Sequence, residues 1–197
     1  MLTPESAERV KQYFDAGSHF AGATFDTLGA NPADAFCPDD LLAVHLLGMD
    51  FDPLAVRMLL EQERFRSDIQ AMLERVPTSV RLWDDEADTL LPICESLWAL
   101  LKDLPGVGWV TAGKLLARKR PQLVPILDQV VWDYFQPPKG EFWSLMQASL
   151  RSSDLPAQIE LALRPAGAGD RSSSVSTLRL LDVAVWMDGM SRRGAQQ

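Results

Sequence analysis

At 197 residues, with 47% hydrophobic and 23% charged side chains, the chain is long enough to bury a core as one domain over 1–197, or as two small lobes sharing a cleft. A formal charge of −8 and an isoelectric point near 4.7 exclude broad, sequence-independent attraction to polyphosphate, so any nucleic-acid contact has to be local. The longest apolar stretches, 41–47 and 183–187, fall far short of the roughly 20 residues that a bilayer span needs, and no basic segment followed by an apolar run opens the chain. A cytoplasmic location is therefore expected.

The elements read as helices from the start. Thr3 before Pro4 and Glu5 predicts an N-cap, a first-turn proline and an acid facing the helix dipole, with Ala7, Val10, Tyr13 and Phe14 as the apolar stripe. Residues 18–35 mix Gly and Pro with Phe20, Phe25 and Leu28 without a period, which predicts an ordered loop, with a short strand as the alternative. Pro38-Asp39-Asp40 opens a second helix through Leu47, Asp52-Pro53 a third, and Ile69, Met72 and Leu73 mark a fourth, stopped by Pro77. The acidic stretch 84–91 reads as helical, with Pro92 starting or kinking the next helix toward Leu101. Helices are expected at 110–118, 128–135, 141–150 and 175–190, and a flexible Gly/Ala/Ser-rich loop at 165–174. The sum is an all-α fold of about nine or ten helices.

Two cysteines, Cys37 and Cys94, are too few for a disulfide framework and read as reduced thiols. His19 and His45, the only histidines, show no ligand spacing, so neither a metal nor a cofactor is expected. His45 reads as a core or boundary residue, and Asp84, Asp85, Glu86 and Asp88 as a solvated first turn.

The most constraining stretch is Leu104-Pro105-Gly106-Val107-Gly108, a tight turn between helices. Its glycines admit close backbone approach, and the free amides of the following helix favour an anion such as a phosphodiester oxygen. Lys114, Arg118, Lys119 and Arg120 follow within seven positions, either as a local phosphate-binding face or as a solvated helix end favoured by the dipole. Trp109, directly after the turn, is the one tryptophan of six placed to stack on a base.

Over residues 104–116, LPGVGWVTAGKLL resembles the helix-hairpin-helix of DNA-binding and DNA-repair proteins. Residues 97–135 are similar, more widely, to the helix-hairpin-helix DNA glycosylases, which follow the hairpin with a Gly/Pro loop and a catalytic aspartate opening the next helix. The resemblance implies DNA as partner, contacts from Gly106, Val107, Gly108, Trp109, Thr111, Lys114 and Arg118, and Asp128, after Pro125-Ile126-Leu127, as the catalytic carboxylate. Asp128 also reads as a plain N-cap, and the two roles are compatible. The chain departs from the pattern in having Val110 where bifunctional members carry a nucleophilic lysine, Gln129 and Val130 where a Thr-His pair is usual, and no four-cysteine iron–sulfur motif. Any chemistry would thus be monofunctional, without Schiff-base lyase activity. A non-catalytic DNA-binding or interaction protein, or a binder of a small anionic ligand, are the alternatives. Phe20-Ala21-Gly22, Phe25, Asp39-Asp40-Leu41 and Pro105-Gly106-Val107-Gly108-Trp109 also resemble an uncharacterised actinobacterial family, which implies organisation but no activity.

Overall fold

The computed structural model describes residues 3–165 and 175–194. Among them are ten α-helices and no strand: α1 Pro4–Phe14, α2 Pro38–His45, α3 Pro53–Leu60, α4 Glu63–Leu73, α5 Ala87–Lys102, α6 Trp109–Lys119, α7 Gln129–Phe135, α8 Phe142–Arg151, α9 Leu155–Leu163 and α10 Thr177–Gly194. The expected all-α class holds. Most of the flexible loop expected at 165–174 lies outside the described residues.

Local chemistry accounts for several helix starts. Thr3 and Ser6 form a reciprocal box, each side chain accepting the other's backbone N–H at 3.2 and 3.3 Å. Asp40 accepts from the Cys37 amide at 2.8 Å to start α2, and Asp52 from the Leu54 amide at 2.7 Å to start α3. The acidic stretch at 84–91 divides: Asp84 caps a turn through the Arg81 amide at 2.9 Å, and α5 begins at Ala87. Pro92 neither starts nor ends a helix but lies within α5.

Between α1 and α2 the chain is irregular, with one 3-10 turn at Ala21–Thr24 and no strand. Backbone carbonyls in such a segment need donors, and the basic run supplies them from within. Arg118 donates to the carbonyls of Phe25 and Leu28, and Lys119 to that of Pro32 at 3.0 Å. Arg120 donates to the carbonyl of Ala33 at 2.7 Å and to those of Leu73 and Val76 at the end of α4. Asp40, fully buried, faces both Arg118 at 3.4 Å and Lys119. From α10, Arg179 donates to the Gly22 carbonyl at 3.1 Å, the Tyr13 hydroxyl at 2.9 Å and Asp26 at 3.2 Å.

Leu97 and Leu101 of α5 and Leu115 and Leu116 of α6 are fully buried, and these two helices pack together at the centre. α6 also packs on α2, while α10 gathers α1, α7 and α9. Its approach to α7 is close: a Cβ at Gly189 would stand 2.6 Å from Val130 Cγ1.

Candidate nucleic-acid interface

A short turn over 103–108 joins α5 to α6. It closes through the Val107 amide donating to the Leu104 carbonyl at 3.1 Å, with both side chains buried. Gly106 has φ +69°, a conformation that disfavours any side chain, and a Cβ there would stand 3.1 Å from Asp52 Cβ. Gly108 is the N-cap of α6 with ordinary extended angles. No side chain caps this helix start, and a Cβ at Gly108 would meet nothing within 4 Å. Gly106 and Gly108 are exposed and Trp109 is 36% exposed, so this end of α6 is open to solvent.

The remaining residues expected to touch DNA turn inward. Val107 is buried and can offer only its backbone. Thr111 is buried, and its hydroxyl donates to the Met49 sulfur at 3.4 Å. Lys114, 4% exposed, donates to the Leu47 carbonyl at 3.0 Å. Arg118 is 2% exposed and committed to Asp40 and two loop carbonyls. Neither the phosphate-binding face nor the solvated helix end expected of the run 114–120 exists, because all four cations are consumed by long-range partners.

Asp128 caps α7, its Oδ1 accepting from the amides of Val130 at 2.9 Å and Val131 at 3.0 Å. Its Oδ2 stands 3.9 Å from Lys114 Nζ. Asp182 and Arg179 of α10 face the same cluster. Burial holds the Lys114 ammonium below the usual lysine value, against the opposing pull of Asp128. Burial likewise pushes the Asp182 carboxyl up to about 6, Arg179 resists that rise and the Asp128 charge adds to it. The result is a group of two carboxylates and two cations between α6, α7 and α10, in which Asp128 alone keeps appreciable solvent contact.

A cleft of about 820 Å³ lies between α5, α6, α7 and the start of α8. Leu127 and Gln129 line it, whereas Asp128 between them is turned to Lys114. Its walls carry Trp98, Trp109, Trp132 and Trp143, with Gly108 and Gly113 along the α6 side. Trp98 donates its indole N–H to the Trp109 carbonyl at 3.0 Å, and Trp109 meets Trp132 edge to face with ring centres 6.1 Å apart. Lys102 and Lys139 also line it, the Lys102 ammonium resting 4.4 Å from the Trp98 ring centre. Sequence reasoning singled out Trp109 and missed the other three indoles. The available signal was the i, i+4 spacing of Trp98 and Lys102 in the turn of α5 that leads into the hairpin. Among the described residues no cluster of three or more His, Cys, Asp or Glu could hold a metal ion, and no helix is long and apolar enough to cross a membrane.

These features describe an all-helical protein with a glycine hairpin, a tryptophan-lined cleft and a largely buried charge cluster. A model for a family of unknown function, DUF6308, matches residues 6–189, and the chain belongs to that family. No curated protein and no solved structure matches it.

Proposed function

We propose that this protein binds DNA at the exposed end of α6, through the backbone of the hairpin at Gly106 and Gly108 and the ring of Trp109. The observation that carries the reading is the open, uncapped start of α6: its first amides have no side-chain acceptor, and the space beyond Gly108 is free for an approaching phosphodiester. Lys102 and Lys139, both exposed, are the nearby cations that assist it, in place of the buried Lys114 and Arg118. With so few cations the affinity is modest, and each neutralised phosphate contributes a slope of about −0.9 in log K against log salt.

Gly108→Ala is the discriminating variant. The fold has room for the added methyl and the angles suit alanine, so the change costs at most about 1 kcal/mol as a lost N-cap preference. It nevertheless obstructs a ligand backbone. Salt-titrated binding to duplex, single-stranded and abasic-site DNA should weaken several-fold in Gly108→Ala while thermal unfolding is nearly unchanged. Equal binding by both proteins would remove the hairpin from the interface.

A second, enzymatic reading is favoured by Asp128, whose Oδ2 is not used in capping α7. On this reading Asp128 stabilises positive charge on the sugar, or activates water, during monofunctional N-glycosidic cleavage. Asp128→Asn keeps the shape and removes the charge, so product formation should cease with DNA affinity retained. Undiminished turnover would exclude Asp128 from the chemistry.

A further inference from the structure

We infer that the tryptophan cleft, which shares Gly108, Trp109, Lys102 and Lys139 with the hairpin reading above and extends it, seats the base of a nucleotide unit flat against indole rings with its phosphate held between Lys102 and Lys139. The cleft volume, about 820 Å³, lies within the roughly 300–1,000 Å³ of small-ligand sites. Its lining is selective in kind. Four of the chain's six tryptophans converge there, while Trp83 and Trp186 lie elsewhere. Trp98, Trp132 and Trp143 are half-buried and Trp109 is more exposed still, so each ring lines the cleft while keeping part of its surface open, although Trp98 and Trp143 also pack against the core. Indole faces stack on any base, because every base has a π-face. The hydrogen bond from the Trp98 indole to the Trp109 backbone carbonyl fixes the Trp98 ring against the start of α6 before a ligand arrives. Apart from the ring of Trp109, the α6 wall at Gly108 and Gly113 carries no side chain, which suits a flat ring more than a branched aliphatic one.

Charge decides between planar ligands. The protein carries −8 overall, yet the ionisable residues lining the cleft are Lys102 and Lys139 against Glu95 alone. A local cationic excess on an acidic molecule favours an anion joined to the ring, which is the composition of a nucleotide. Leu127 and Gln129 line the cleft while the carboxylate of Asp128 between them turns to Lys114, so stacking in the cleft does not require the glycosidic chemistry proposed above. It depends on the hairpin reading only for the source of the base, which is either a strand held at Gly108 or a free nucleotide.

The test titrates the full-length protein with adenosine monophosphate, with a short single-stranded oligodeoxyadenylate and with a duplex, following tryptophan fluorescence and heat. The variants are Trp143→Ala, which removes a stacking face, and Ala99→Phe, which fills the cleft from an exposed position and keeps every indole. We expect quenching by the mononucleotide or the single strand, with affinity falling about tenfold or more in both variants. A strand that binds no tighter than the mononucleotide identifies free nucleotide as the ligand; a tighter strand identifies nucleic acid. Absence of quenching with both probes, or wild-type affinity in Ala99→Phe, overturns the inference. If the duplex still binds in a Gly108-sensitive manner in that case, the hairpin reading survives alone. If the mononucleotide binds in the cleft while no DNA binds, the hairpin reading fails and the cleft stands.

Discussion

Asp40 shows how much a single side chain can hold in place. It is fully buried, accepts from the Cys37 amide and faces Arg118 and Lys119, two cations with almost no solvent contact. Removing one member of a buried ion network leaves the others uncompensated, at about 3–5 kcal/mol. Asp40→Ala should therefore lower stability by that amount in denaturant unfolding, and a loss below about 1 kcal/mol would mean that water replaces the carboxylate. Asp182 gives a residue-scale pH signature. Its folded carboxyl sits near 6, above the ordinary aspartate value of 3.8, so the native state holds this proton more tightly than the unfolded chain does. Its contribution to stability is complete below about 4 and lost as pH rises through about 6. The stability difference between wild type and Asp182→Asn should shrink across that window, by at most about 3 kcal/mol; a difference that is flat with pH would contradict the burial of the carboxyl.

The helices separate what the sequence made legible from what it did not. Thr3, Asp52 and Asp128 announced helix starts because a cap is a contact between near neighbours, complete within a few residues. Asp128→Ala should cost about 1 kcal/mol and Asp128→Asn much less, since asparagine keeps the acceptor that holds the Val130 and Val131 amides; equal losses would show the charge to matter more than the cap. The orientation of α6 was not legible in the same way. Lys114, Arg118, Lys119 and Arg120 look like an exposed basic end by every local rule, and only carbonyls some 40 to 90 positions away, with Asp40, turn them inward. The α9 helix had a local signal that the sequence reading passed over: Asp154 makes no side-chain cap, but Pro156 lies in the first turn and Ser153 Oγ accepts from the Leu155 amide at 3.3 Å. The cleft followed the logic of α6, because its four tryptophans come from α5, α6, α7 and α8 and converge only in the fold.

At the scale of the whole molecule, the charges fall into two populations with different responses to salt. The pairs around Arg118, Lys119 and Arg179 are buried and weakly screened, whereas Lys102 and Lys139 at the cleft are exposed. Raising salt should leave the unfolding temperature nearly constant while it weakens DNA or nucleotide binding. Parallel losses would place the stabilising ion pairs at the surface. The same division carries a consequence for how this chain tolerates changes in length. Residues 18–35 are irregular and border the surface, the kind of segment where insertions are ordinarily absorbed. Here the carbonyls of Phe25, Leu28, Pro32 and Ala33 are matched in chain order to three consecutive cations at the end of α6, Arg118 taking the first two and Lys119 and Arg120 one each. Adding or deleting one residue would slip that correspondence and strand a charge, so this irregular stretch keeps its count as strictly as a helix keeps its turn.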